Sequence, residues 1–443
     1  MESGHTTKTI GIVSLGCAKN LVNTEQMMFL LKEAGYIVTG ETDGADAVIV
    51  NTCGFIDNAK MEAIDVILEL DEERRFGKAG KIIVTGCFAE RYKDELLTEM
   101  PEIDGVVGVG SFEEIVKVLN RIFESDEKVA MFGDIDAPIS ETKRVITTSN
   151  AWAYIKIAEG CDNRCAFCII PSLRGRFRSR PMDKILGEAK ELVQRGVREI
   201  ILIAQDSTRY GLDLYGSRRL ADLLTALSEI DNLKWIRLHY LYPDDITEEL
   251  IDVIANNEKI LKYMDIPIQH INDTVLQKMN RRGNSRQVRQ LLRRLRERIA
   301  GVVIRTSIIA GLPGEGDKEF EELYEFLKSE KIERAGVFRY SPEEGTTAAV
   351  MTFPDTELAE KRTEALMQLQ AHIIDEFNKS RIGSTTTVLI EGVNDGSHFG
   401  RSFAESPDVD GYINVIGEGI KIGQFYNIKI TDVIDGEPIG ETI

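Results

Sequence analysis

Apolar positions along the first third of the chain fall into short continuous runs separated by longer stretches of helical period. IGIVSL (10–15), AVIVN (47–51) and KIIVTG (81–86) are rich in β-branched residues, and NTEQMMFLLKEAG (23–35) and AKMEAIDVILELDEERR (59–75) lie between them. Uninterrupted apolar strands alternating with helices predict a parallel sheet covered on both faces. A second alternation follows, with WAYIKIA, EIILIAQ, KWIRLHY, YMDIPIQH, GVVIRTSIIAG and AGVFRYS reading as six strands. Helical patterns such as DKILGEAKELVQRG, RRLADLLTALSEI, ITEELIDVIANN and DKEFEELYEFLKSE separate them. Six βα units predict a partial, open (β/α)6 barrel with its active site at the carboxyl ends of the strands. The tail changes period again. TTTVLIEG, GYINVIG and FYNIKITDVID, punctuated by glycine turns, predict a small β-barrel of about sixty residues. The expected organisation is an N-terminal α/β domain at 8–135, a linker at 136–150, a barrel core at 151–380 and a terminal β-barrel at 383–443.

Cysteine placement sharpens this picture. The chain has six, and each of Cys17, Cys53 and Cys87 follows one of the first three apolar runs, beside Gly16, Gly54 and Gly86. Carboxyl ends of parallel strands share one edge, so residues far apart in sequence are predicted to meet there, and glycine permits close backbone approach. Small buried cysteines are common core filler, and zinc is the competing metal. Structural zinc wants four ligands, and no nearby histidine supplies a fourth. Three strand-end cysteines with none elsewhere in the domain favour a cluster with three thiolates and one open iron. Cys161, Cys165 and Cys168 form a CxxxCxxC run after the first barrel strand. A zinc ribbon would show two paired CxxC motifs instead.

Charge limits the partners. The 443-residue chain carries a formal net charge of −19, which disfavours general nucleic-acid binding and suits a basic protein. The tail from Gly383 has ten Asp plus Glu against three Lys plus Arg. The basic run RRGNSRQVRQLLRRLRERIAG is read as a solvated helix face. No long apolar stretch predicts a membrane span and the N-terminus lacks signal-peptide character, so the cytoplasm is expected. A reducing compartment also favours metal or redox roles for the thiols over disulfides.

AEGCDNRCAFCIIPSLRGRFRSRP, with its cysteine spacing and six βα units, resembles the radical S-adenosylmethionine (SAM) superfamily. SLGCAKNLVNTE, NTCGFIDNAKMEAID, YMDIPIQH and YSPEEGTTA narrow the resemblance to the methylthiotransferases, and within them to the RimO-like group that modifies an aspartate of small-subunit ribosomal protein S twelve. The MiaB-like group, acting on tRNA adenosine, is the rival enzyme, and a non-catalytic iron–sulfur carrier or scaffold is the rival of another class. The resemblance implies two 4Fe-4S clusters, one on Cys161, Cys165 and Cys168 that cleaves SAM to a radical. The other, on Cys17, Cys53 and Cys87, would supply the methylthio sulfur. It also implies that the terminal barrel is TRAM-like and that an electron donor of the flavodoxin or ferredoxin type is a partner. The substrate protein would be met free or on the ribosome. Phe167, Gln205, Asp206, Gln269, Gly311 and Gly314 are candidates for the SAM pocket by position. His239 and His270 read as satisfied core or rim histidines, and Arg174, Arg176, Arg178 and Arg180 as partners for carboxylates.

Overall fold

A strand buried on both faces needs a run of apolar side chains, as at Ala47–Val50 and Ile82–Val84 in the N-terminal sheet. The computed structural model describes residues 8–93, 95–125 and 127–443. Six parallel strands form this sheet: β1 (Thr9–Ser14), β2 (Ile37–Thr39), β3 (Ala45–Thr52), β4 (Ala79–Gly86), β5 (Gly105–Val107) and β6 (Val129–Met131), in the order β2-β1-β3-β4-β5-β6. Along β3, Val48 and Val50 enter one core with Ile82 and Val84 of β4 and Ala63, Ile67 and Leu70 of helix α2 (Asp57–Arg75). Ala47 and Ile49 enter the opposite core with Met27 and Leu31 of helix α1 (Ala18–Glu33) and Ile115, Val118 and Leu119. The three-residue strands β2, β5 and β6 lie beyond the three that the sequence pattern marks. They are too short to carry a period, and pairing with an existing sheet defines them.

The described chain divides into two compact units that are not contiguous in sequence. The first takes the chain to Thr147 together with Ala158–Ser179 and Ser341–Ala349; the second comprises Thr148–Ile157, Arg180–Tyr340 and Val350–Ile443. In the first unit, residues 136–147 form no helix or strand, yet they are anchored. Glu25 of α1, almost fully buried, pairs with Arg144 and accepts from Thr147 N at 2.8 Å and Thr147 Oγ1 at 3.0 Å. Its backbone oxygen accepts from Val145 N at 3.0 Å.

The second unit contains β7 (Trp152–Lys156), β8 (Glu199–Ile203), β9 (Trp235–Leu238), β10 (Ile260–Asp265), β11 (Val303–Ala310) and β12 (Arg334–Arg339). They pair in parallel in sequence order, as six βα units predict. A closed five-stranded barrel follows, built from Thr385–Asn394, Ser397–Arg401, Ile413–Ile416, Phe425–Ile434 and Glu437–Thr442. Val388, Ile390, Ile413, Val415, Ile428 and Ile430 fill it. Two of its strands, Ser397–Arg401 and Glu437–Thr442, lack the apolar runs by which the sequence marks the other three.

Buried charge attaches this barrel to the parallel sheet. Glu199 of β8 accepts from Arg237 Nε and from Arg401 Nη2, each at 2.8 Å, and all three side chains are fully buried. Glu405 receives Arg334 Nη2 at 3.0 Å and pairs with Arg381. Tyr154 donates to Asp408 at 3.0 Å, and Tyr263 donates to Asp410 at 2.5 Å. Removing one partner of such a pair strands a charge in the interior, at a cost of about 3–5 kcal/mol. Among the described residues, no helix is long and apolar enough to cross a membrane.

Glu405 makes the attachment pH-dependent. Burial alone would raise its carboxyl, but Arg381 and Arg334 outweigh burial and hold it at about 2 against an ordinary 4.5. A depressed carboxylate stabilises the folded state above its ordinary value, and that contribution is lost as pH falls from 4.5 towards 2; it amounts to roughly 3 kcal/mol. Thermal unfolding should therefore separate Glu405→Gln from the parent widely at neutral pH. The two melting temperatures should converge across that acidic window. A constant gap would contradict this account.

Candidate metal centre and its surroundings

Strand register brings the first three cysteines together. In the sheet, Ser14 of β1 stands beside Asn51 of β3, and Thr52 of β3 beside Gly86 of β4. Cys53 and Cys87 directly follow β3 and β4, and Cys17 caps the N-terminus of α1 three residues past β1. Glycine is required at two of the adjoining positions. Gly16 has φ +92°, and a Cβ there would stand 2.7 Å from Cys53 Cβ. Gly86 has φ +93°, and a Cβ would press on Asn51 Oδ1 and lie 2.5 Å from Thr52 O. Any larger residue would push the three strand ends apart.

Asn20 and Arg174, which sequence reasoning did not single out for this set, tie the ends together. Asn20 Nδ2 donates to Thr52 O at 2.9 Å and to Leu15 O at 3.2 Å. Its Oδ1 faces Cys87 Sγ at 3.8 Å and accepts from Arg174 Nη2. Asn51 donates to Asn20 O and to Thr24 Oγ1, both at 2.8 Å. Arg174 is 2% exposed and donates to Glu159 Oε1 at 2.9 Å.

Electrostatics distinguish the three thiols. Burial and the neighbouring thiols Cys87 and Cys17 push Cys53 up to about 12. Burial also raises Cys87, and Arg174 offsets this only in part. Burial acts the same way on Cys17, but Lys19, Arg174 and the backbone N–H groups of Asn20 and Lys19 outweigh it and bring the thiol below its ordinary value. Cys17 is thus the thiol readiest to become a thiolate, the form that ligates metal.

Segment Ala158–Ser179 carries the second triplet within the same unit. Gly160 (φ +77°) and Arg164 (φ +50°) bend it through the left-handed region. Cys168 N donates to Cys165 O at 3.0 Å, Cys161 N to Gly175 O at 3.1 Å, and Asp162 Oδ1 accepts from Phe177 N at 3.2 Å. A short helix, Ile170–Arg174, then starts with proline in its first turn. Ile169 and Leu173 pack with Cys87 in one small apolar cluster, alongside Phe55 and Val109. Cys168 is bonded to Ile169 and so adjoins the cluster that contains Cys87. Ser341–Ala349 closes the group, with Ala348 N donating to Ala166 O at 2.8 Å. Glu343, 2% exposed, takes Arg91 Nη1 at 2.5 Å and Lys60 Nζ at 2.9 Å.

None of the six cysteines is joined in a disulfide. Among the described residues, no three His, Cys, Asp or Glu side chains are grouped to hold a single metal ion. An iron–sulfur cluster makes a different demand, because it takes its thiolates on separate irons. Three converging thiols, a fixed buried cation beside them and glycines that admit close approach suit such a cluster in charge and in donor type.

Other predicted positions have local roles in the structure. Phe167 is buried in the cysteine segment of the first unit. Asp206 caps a short turn, accepting from Thr208 N at 3.2 Å and from Thr208 Oγ1, and Gln205 beside it is half-buried. Gln269 adopts φ +73° and bridges to Ile308. Gly311 makes room for Ala359, and Gly314 for Lys278. His239 meets Ser406 Oγ at 2.8 Å and His270 meets Glu315 Oε2 at 3.2 Å, both in the core. Arg180 bonds Glu188 at 2.7 Å, Arg178 approaches Asp136 at 3.4 Å, and Arg176 is exposed. In the basic helix Ser285–Arg298, four arginines are paired with carboxylates. Arg289 pairs with Glu330, Arg296 with Glu333, and Arg294 and Arg298 with Glu248.

Comparison with known proteins matches three family models: Radical SAM superfamily over residues 155–327, Uncharacterized protein family UPF0004 over 9–108, and TRAM domain over 382–443. The chain is 47% identical to "Ribosomal protein uS12 methylthiotransferase RimO" of Thermoanaerobacter sp. (strain X514), over 98% of this chain and 100% of that protein. It is 45% identical to the protein of the same name from Acetivibrio thermocellus, over 98% of each. Among solved structures, the radical SAM methyltransferase TsrM from Kitasatospora setae aligns with a TM-score of 0.56 at 16% identity, covering 80% of this chain and 76% of that one. At that identity the likeness concerns the fold alone.

The strand-end geometry yields a stability prediction. Gly86→Ala should destabilise the protein by about 2 kcal/mol or more, because the positive φ and the backbone of Thr52 both oppose a Cβ. A melting temperature equal to the parent's would contradict the close approach described for this position.

Proposed function

The chain belongs to the family of the ribosomal protein uS12 methylthiotransferases RimO, and on that premise we infer that it is a radical SAM enzyme that transfers a methylthio group to uS12. We assign Cys161, Cys165 and Cys168 as one set of cluster ligands and Cys17, Cys53 and Cys87 as the other. The observation that carries the assignment is the meeting of both triplets in one compact unit, with Ile169 beside Cys168 packed in the same apolar cluster as Cys87. When bound, a 4Fe-4S cluster on the loop thiols supplies one-electron cleavage of SAM, and a second on the strand-end thiols supplies an open iron for the sulfur to be transferred.

The chain's own residues perform the remaining work. Gly16 and Gly86 let the strand-end thiols converge, Asn20 holds two strand ends together, and Lys19 and Arg174 favour the Cys17 thiolate. Arg91 and Lys60 clamp Glu343 and thereby hold 341–349 to the rest of the first unit. A methylthio group added to the β-carbon of an aspartate replaces a C–H bond too weakly acidic for an ordinary side-chain base, which is the reason for radical chemistry. The acidic terminal barrel suits a basic ribosomal protein better than an RNA backbone, and this weighs against the tRNA reading. We place the reaction in the cytoplasm with the ribosome, with a flavodoxin- or ferredoxin-type protein as electron donor.

Two experiments test this reading. Cys17→Ala should abolish methylthio transfer to a uS12 peptide while leaving 5′-deoxyadenosine formation measurable, and Cys161→Ala should abolish both. Methylthio transfer by the Cys17→Ala protein would refute the role given to the strand-end set. In a deletion strain, mass spectrometry should find uS12 lighter by one methylthio group and tRNA unchanged. Loss from tRNA instead would favour the adenosine-modifying alternative.

A further inference from the structure

Arg174 is unusual among the buried cations of the first unit. It lies six residues beyond Cys168, in the segment that carries the loop triplet, yet its side chain serves the strand-end triplet. One nitrogen donates to Glu159, and another to Asn20 Oδ1, the atom that Cys87 Sγ also faces. The orientation of that amide is not free. Its Nδ2 already donates to Leu15 O and Thr52 O, so its oxygen must face Arg174 and Cys87. The neighbouring Leu173 shares the apolar cluster of Cys87 and Ile169. An arginine cannot shed its proton, so the site holds a permanent positive charge in a medium where charge is weakly screened.

Glu159 pairs with Arg174, and Arg174 also reaches the amide oxygen that Cys87 Sγ faces. Three thiolates and a cluster at the strand ends would place negative charge beside this cation. Resting on the ligand assignment above, we propose that Arg174 is a positioning residue for the strand-end set. It is a fixed cation, delivered by the loop of the other triplet, that offsets the negative charge at Cys17, Cys53 and Cys87 and raises the reduction potential of a cluster held there. An electron added to an anionic centre is favoured by a nearby positive charge, so removing that charge lowers the potential. Glu159 acts in the opposite sense, and the hydrogen-bonded pair sets the balance. The bland alternative, a buried ion pair that only packs the segment, makes no prediction about sign.

The test uses the full chain with Cys161, Cys165 and Cys168 replaced by alanine, reconstituted anaerobically with iron and sulfide. The potential of the remaining cluster is then titrated by electron paramagnetic resonance. In this background Arg174→Gln should shift the midpoint to lower potential, Arg174→Lys should stay close to the parent, and Glu159→Gln should shift it upward. Unchanged midpoints in both glutamine variants would overturn the proposal, as would a lysine variant displaced as far as Arg174→Gln. If Arg174→Gln retains no cluster, the lysine variant decides. Retention at the parent potential supports the charge role, and loss in a protein that circular dichroism shows to be folded refutes it. A parent background that binds no iron would instead remove the ligand assignment on which the proposal rests.

Discussion

The parallel register of β1, β3 and β4 is the constraint from which the site follows. A sheet buried on both faces has no spare surface for polar chemistry, so reactive side chains collect where the strands end. Three neighbouring strands in one direction put those ends on one edge, and the residues just beyond them meet whatever their separation in sequence. The glycines beside the cysteines set how near they come. At Gly16 and Gly86 the backbone conformation and the crowding both forbid a side chain, so convergence of the thiols depends on missing atoms as much as on present ones.

Buried charge assembles what the sheet alone would leave open. Arg174 with Glu159 secures the returning loop, and Glu343 with Arg91 and Lys60 secures 341–349. In the second unit, Glu199 and Glu405 hold the small barrel to the parallel sheet through four arginines. In each case a carboxylate with more than one donor, or an arginine with more than one acceptor, accepts a geometry that an apolar contact would not specify. Replacing such a pair whole by apolar residues would cost little, whereas removing one partner leaves a buried charge uncompensated. Both thiol sets lie in the first unit while belonging to distant parts of the chain.

Much of this architecture was legible in the residues. Apolar runs identified β1, β3 and β4 and all six strands of the second sheet, and the signal is strongest where burial is complete on both faces, as in β7, β8 and β9. Short β2, β5 and β6 were not legible, since three residues carry no period, and neither were the two barrel strands whose faces are part polar. His239, His270 and the arginine-rich helix took the quiet roles expected of them. At Gly311 and Gly314 an added Cβ would meet Ala359 and Lys278, packing neighbours that the sequence did not indicate.

By itself the sequence marked the longer elements and the two cysteine triplets and predicted that Cys17, Cys53 and Cys87 meet along one edge, because local period and parallel topology leave little freedom there. Only the tertiary structure decided which distant residues serve those thiols. Asn20 looks like an ordinary helix residue, and Arg174 is one of four arginines in a short run. Nothing local marks either as the partner of Cys87. That choice arises when the loop folds back across the strand ends and each buried polar atom must find a partner or remain unpaired.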